Sequence, residues 1–214
     1  MIMPQEPYRG LVAAFEAASD WGLALSALGC VHRTSAVLVA EGVVEEDAAP
    51  FSTGSLVELA ELRDTSAVLS ALMSARQSLA VYGADPETGE VRGESDRAEL
   101  LAMASELVLR ADANADRAFL EEWASMCSSI SIDVMQHLDC MELRAVAEFG
   151  STSPSPYEDV PPLPAAEIQA QLEILRLVDG RDADALTHMA KLSDALRSAL
   201  VVIAAEAVSS GELD

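Results

Sequence analysis

Residues 112–149 read DANADRAFLEEWASMCSSISIDVMQHLDCMELRAVAEF, and this stretch decides the predicted fold. Side chains of one stripe recur along it at the spacing of a helix face, about 100° per residue. The stripe comprises Phe119, Trp123, Met126, Ile130, Val134, His137 and Met141. A second apolar row lies on roughly the opposite side: Ile132, Met135, Leu143 and Val146. Because a helix that is apolar on two sides is covered by neighbours or by a partner chain, the stretch predicts a long central helix, about 112–149.

The composition favours an all-α protein. Half of the 214 residues are apolar, alanine is abundant, and only 4% are aromatic. Such a composition is typical of closely packed helices rather than of β-sandwiches. We predict an all-α, multi-helix bundle around the central helix, with a C-terminal helical hairpin. Residues 1–150 are predicted to form the bundle, and 151–164 a Pro/Ser-rich linker. The hairpin, 165–214, is predicted to pack on the same core, as part of one domain.

Two N-terminal segments are less regular. A first helix is predicted over about 9–28, where the apolar residues form a rough stripe, with Gly29 as the candidate end. Segment 34–44, TSAVLVAEGVV, fits either a helix capped by Thr34 or Ser35 or a β-branched strand. Periodicity does not separate the two in so short an apolar run, and we favour the helix.

The net charge of −23 restricts the possible partners. Such a surface repels phosphate backbones and anionic membranes, so we expect no direct nucleic-acid binding and no membrane association. It attracts basic partners or simply keeps the protein soluble, and both interpretations of the charge stay open. Since no stretch has the flanks of an export signal or the length of an uninterrupted bilayer span, the sequence predicts a cytoplasmic protein.

The three cysteines are an odd number: Cys30, Cys127 and Cys140. Cys127 and Cys140 lie about 20 Å apart on one predicted helix and therefore cannot bridge each other. We predict reduced, buried thiols, as is usual in a cytoplasmic protein.

The candidate site is centred on Asp133 and His137, one helical turn apart on the central helix. An imidazole beside a carboxylate fits a general base, a metal ligand, or a satisfied pair inside a core. We favour the core pair, because a zinc or di-iron site needs more ligands and no HxxxH or Glu-x-x-His spacing occurs. Trp123, with Phe119 and Met126, fits a ligand pocket or plain core, and we favour core.

Other patterns give weaker indications. Asp96 and Glu99 resemble a capping box at the start of a helix. Cys30 and His32 suggest a thiolate–imidazole site only weakly, because close neighbours on a helix point apart. The sequence lacks the glycine-rich phosphate-binding motifs and the G-x-S-x-G nucleophile elbow. We therefore predict no catalytic residue, no cofactor and no metal, with Asp133, His137 and Trp123 as the only candidate site.

These patterns lead to three hypotheses of function. The first is a non-catalytic, acidic interaction module, such as an adaptor, inhibitor or phage-related assembly subunit, which binds a protein partner or forms a homo-oligomer. Its candidate interaction residues are Tyr157 in the linker and Val201 and Val202 near the end of the last helix. The alternative is a small-molecule-binding or metal-dependent enzyme or sensor with its site near Asp133 and His137. A lesser alternative is a nucleic-acid mimic.

Overall fold

A computed structural model of the chain shows a helical bundle, which confirms the predicted all-α class. It describes residues 5–48, 50–80, 96–112, 115–140, 160–178 and 183–210. Within these ranges the chain forms eight α-helices and no strand. The helices are α1 Gln5–Ala17, α2 Asp20–Ala40, α3 Thr53–Leu62, α4 Thr65–Leu79, α5 Asp96–Leu109, α6 Arg117–Cys140, α7 Pro162–Val178 and α8 Ala183–Ser210.

Two long helices contact most of the bundle. Helix α6, within the predicted central stretch, begins at Arg117 rather than at about 112 and packs against α1, α2, α5 and α7. The predicted continuation over 141–149 lies outside the described residues. Helix α2 is buried more deeply: every residue from Gly22 to Leu38 is buried, and α2 packs against all of α3 to α8. The core is therefore built around α2 together with α6.

The start of α2 corrects the predicted first helix. The Ser19 backbone is extended and its Oγ accepts a hydrogen bond from the Gly22 N–H at 3.1 Å, which is the geometry of an N-cap. The single helix over 9–28 is therefore wrong, since α1 ends and α2 begins within that range. The favoured helix for 34–44 is confirmed as far as Ala40, but it continues α2 rather than starting with its own cap.

The C-terminal helices cover the other side of α2. Helix α7 begins at Pro162, so the last three residues of the predicted linker 151–164 are helical. Proline is tolerated there because the first turn of a helix has no internal partner for an N–H group. Helices α7 and α8 pack against each other and against α2, as expected for the C-terminal pair. The rest of the predicted linker, with Tyr157, lies outside the described residues.

Helix α2 is also the one described helix that is long and apolar enough to cross a membrane. The mean hydropathy of its apolar stretch is 1.5, and 89% of that stretch is buried inside the bundle. Contact with the surrounding helices is sufficient to explain this composition.

Candidate functional site

The structure places Asp133 and His137 at the surface. Asp133 is exposed, and the His137 side chain is 32% exposed. The interpretation of the two residues as a satisfied pair inside the core is therefore wrong, because this face of α6 is only partly covered by α5. Although the residue as a whole is exposed, neighbouring groups partly desolvate the Asp133 carboxyl and raise its pKa, and the neighbouring His137 acts in the opposite direction.

Trp123 belongs to a different part of α6. It is 2% exposed, and its indole N–H donates a hydrogen bond to the backbone oxygen of Leu107 at 3.1 Å. At about 1.5 Å per residue, it lies about 20 Å from His137 along the helix. Trp123 is therefore a core residue, as favoured, and does not share a site with Asp133 and His137.

Helix α5 brings two carboxylates to His137. Asp96, Glu99 and His137 each offer one metal-ligating atom, and these three atoms lie within 4.8 Å of one another. The Glu99 Oε2 atom is 3.9 Å from Nε2 of His137. We call the open pocket beside them the α5–α6 cleft. It has a volume of about 420 Å³ and is lined by Glu99, Met103, Asp133, Gln136 and His137.

Two short helical spacings bring the residues of the cleft onto one face of α5 and one face of α6. Asp96 and Glu99 lie three residues apart in the first turn of α5, and Asp133 and His137 lie four apart on α6. Residues at these spacings share a helix face, and α5 packs against α6. Each pair is visible in the sequence, but only the packing of the two helices brings the pairs together.

A second polar cluster lies in the core, and we call it the buried network. Its centre is the ion pair of Arg33 on α2 and Glu167 on α7, both fully buried. Arg33 donates from Nε to Glu167 Oε2 at 2.6 Å and from Nη2 to Oε1 at 2.7 Å. Gln171 Nε2 donates to the same Oε1 at 2.7 Å, and Ser128 Oγ donates to Gln171 Oε1 at 2.5 Å. Burial alone would raise the pKa of the Glu167 carboxyl, but Arg33 outweighs it and the pKa lies below its usual value.

The buried network continues to α3 and α8. Ser193 Oγ accepts a hydrogen bond from Arg33 Nη1 at 3.2 Å and lies 3.0 Å from Nδ1 of His32. The other imidazole nitrogen of His32 lies 3.4 Å from Thr53 Oγ1, which donates a short hydrogen bond to Asp194. Both nitrogens of His32 therefore have a hydroxyl neighbour, and polar contacts of the network join five helices: α2, α3, α6, α7 and α8.

His32 is held neutral in this setting. Burial, followed by the positive charges of Arg197 and Arg33, lowers the pKa of its imidazole to about 3. Arg197 is itself buried and donates to Ser35 Oγ at 3.2 Å. A neutral imidazole between two guanidinium groups is poorly suited to accept a proton near neutral pH, so His32 acts as a structural residue.

Cys30 and His32 do not form a thiolate–imidazole site. The Cys30 Sγ atom lies 3.7 Å from Glu167 Oε1, whereas His32 faces hydroxyl groups. Burial and the negative charge of Glu167 raise the pKa of the Cys30 thiol, and burial raises that of Cys127. Both cysteines are free and buried, as predicted, and both are protonated near neutral pH.

The candidate interaction residues near the end of α8 differ in exposure. Val202 is 52% exposed, and Val201 is half-buried and packs against the core. Tyr157 lies outside the described residues, so its predicted role stays a prediction. Of the two valines, only Val202 offers a largely accessible apolar side chain.

Comparison of the chain with protein-family models, with curated proteins and with solved structures gives no match. The proposals that follow therefore rest on the residues of this chain alone.

Proposed function

We propose that this protein is a non-catalytic, acidic helical module that binds a protein partner carrying basic groups. The observation that supports this proposal is that six of its 13 basic residues are buried or ion-paired in the described structure. Arg33 and Arg197 are buried. Four exposed or half-exposed arginines are ion-paired to carboxylates of the same chain: Arg97 with Glu41, Arg110 with Glu106, Arg117 with Asp20 and Glu121, and Arg176 with Glu173.

The net charge of the chain is strongly negative, and the exposed carboxylates of the described residues, such as Glu58, Glu61 and Glu122, contribute to it at the surface. The sequence has 36 acidic residues against 13 basic ones, and each internal ion pair leaves that difference unchanged. A surface with such an excess steers a basic partner towards it and disfavours acidic ones. Attraction of this kind weakens as salt concentration rises, since the Debye length is about 10 Å at 0.1 M salt.

A second copy of the chain is a different kind of partner. It carries the same negative charge, so two copies repel each other unless an apolar contact outweighs the repulsion. Val201 and Val202 are the candidate residues for such a contact in a homo-oligomer. Replacement of Val202 by Ala tests it, because this side chain contributes little to the core of one copy.

The test is native mass spectrometry of the protein purified from its own host at moderate salt. We expect a complex with a second, basic protein that dissociates as the salt concentration rises. Variants in which Glu58 and Glu61 on α3, or Glu122 on α6, are replaced by Gln then locate the binding face. These carboxylates are exposed, so their neutralisation leaves the fold intact.

Three results would contradict, change or narrow the proposal. A monomer without a bound protein at every salt concentration would contradict it. A homo-oligomer that persists in high salt and is lost in Val202→Ala would replace the basic partner with a second copy. If the captured protein binds DNA and DNA displaces it, the nucleic-acid mimic becomes the specific form of the proposal.

A further inference from the structure

We propose that the α5–α6 cleft binds a divalent transition-metal ion through Asp96, Glu99 and His137. The three ligand atoms come from two different helices and already lie within 4.8 Å of one another. This proposal is independent of the protein partner proposed above, because it depends only on the local geometry of the cleft.

The donor set indicates the class of metal. One imidazole nitrogen with carboxylate oxygens suits Zn²⁺, Fe²⁺, Mn²⁺ and related ions, whereas Mg²⁺ and Ca²⁺ prefer oxygen ligands alone. Two ligands of one tetrahedral zinc ion lie about 3.4 Å apart, given metal–ligand distances of about 2.1 Å. The 3.9 Å between Glu99 Oε2 and His137 Nε2 is close to that value. Small rotations of the exposed Asp96 and Glu99 side chains would bring their carboxylate oxygens to the ligand–ligand distances of such a site.

A further carboxylate, Asp133, lines the same cleft together with Glu99 and His137. It lies outside the group of three ligand atoms and is not one of the proposed ligands. Two carboxylates, Glu99 and Asp133, line the pocket, and the side chains that line it in the described structure include no lysine or arginine. The neighbouring Arg97 is paired with Glu41 instead. The pocket therefore offers a cation negative charge and no competing positive side chain.

Helix capping explains only part of this arrangement. Acidic residues are favoured in the first turn of a helix by the helix dipole, which accounts for Asp96 and Glu99. It does not account for His137 and Asp133, which reach the same cleft from the last two turns of α6. The meeting of the His137 imidazole with the two carboxylates of α5 is the observation on which the metal site rests.

The experiment is a titration of the untagged full chain with ZnCl₂ after removal of metals with EDTA. Isothermal calorimetry should show one saturable site per chain, with little competition from excess Mg²⁺. Long-range ¹H–¹⁵N spectra should show a shift of the His137 imidazole signals, whereas those of His32 and His188 stay in place. His32 is buried and His188 lies on α8, away from the cleft, so both are internal controls.

Matched variants decide whether the site is the one proposed. His137→Gln and Glu99→Gln should each weaken zinc binding by more than about tenfold, since even indirect partners of a metal contribute that much. His188→Gln, the same change at an exposed histidine of another helix, should leave the affinity unchanged. The absence of a saturable site would overturn the proposal. Equal effects of the His137 and His188 variants would do so too, because they would indicate adventitious binding to an acidic surface only.

Discussion

Arg33 and Glu167 form a two-point ion pair with no exposed surface, although they lie 134 positions apart in the chain. A buried pair of this kind contributes little net stability, because both charges lose their hydration. Breaking it is costly, because the remaining charge stays buried without a partner. We therefore expect the pair to contribute more to the alignment of α2 and α7 than to the stability of the bundle.

Replacement of Glu167 by Ala should lower the free energy of unfolding by roughly 3–5 kcal/mol, measured by urea denaturation, because Arg33 is left unpaired in the core. The double variant Arg33→Met, Glu167→Leu should recover most of this loss, since neither charge remains. Arg176 and Glu173 are the matched control: they lie 2.6 Å apart at the surface, and Glu173→Ala should change stability by less than about 1 kcal/mol. A double variant as unstable as the single one would contradict the prediction.

The stability of the protein should fall on mild acidification because of His32. The pKa of its imidazole is about 3 in the folded protein and about 6.5 in an unfolded chain. Between these values the unfolded state binds a proton that the folded state does not, so the free energy of unfolding decreases as pH falls from 6.5 towards 3.

The variant His32→Gln should remove roughly 1 kcal/mol per pH unit from the slope of stability between about pH 6 and pH 5. The measurement is a set of urea denaturation curves at several pH values. His188→Gln is the control, since an exposed imidazole remains in contact with water in both states. An unchanged slope in His32→Gln would show that this imidazole is not held neutral by the fold.

Two helical glycines should respond in opposite ways to Ala. A Cβ atom at Gly29 would lie 3.0 Å from Arg33 Nη1 and 3.1 Å from Ile174 Cδ1, both of which are held in the core. At Gly10 in α1 the nearest atom is a Leu172 methyl at 4.0 Å. We expect Gly10→Ala to raise the thermal midpoint, from a gain of roughly 0.5–1 kcal/mol in helix propensity, and Gly29→Ala to lower it. If Gly29→Ala raised the thermal midpoint instead, the Arg33–Glu167 ion pair would have to shift away from the new methyl group without loss of stability.

The buried thiols should be unreactive in the native state. In a Cys140→Ser background, Ellman's reagent should label neither Cys30 nor Cys127 at neutral pH, because both are buried and their thiol pKa values are raised. In urea both should react, and the labelling rate under native conditions should follow opening of the bundle. Rapid labelling of one thiol per native chain would contradict this prediction.

The all-α class could be predicted from the local spacing of apolar residues, but the depth to which each side chain is buried could not. The stripe of α6 indicated a long helix, and Trp123 was rightly placed in the core. The same stripe predicts a buried His137, but the structure leaves this side chain partly exposed. Periodicity shows which residues share a helix face, and it does not show how much of that face a neighbouring helix covers. The break between α1 and α2 was missed because Ser19 caps a helix in the middle of a continuous apolar pattern.

The buried network and the α5–α6 cleft are formed by residues distant in sequence, and local spacing does not predict such contacts. His32 and Arg33 interrupt the apolar helix α2, and this interruption is a local signal of the buried network. Their partners Ser193 and Glu167 lie on other helices, and no spacing in the sequence connects them. The meeting of His137 with Asp96 and Glu99 was not predicted for the same reason, because about 40 residues separate them in the sequence.

The long sequence separation between Arg33 and Glu167 also determines when the nascent chain can complete the buried network. Glu167 follows Arg33 by 134 positions, which takes on the order of ten seconds to translate at 5–20 residues per second. During that interval Arg33 stays hydrated and the apolar sides of α2 lack the cover of α7 and α8. We therefore expect the bundle to close only after α7 and α8 have been translated, and α2 to stay accessible to chaperones until then.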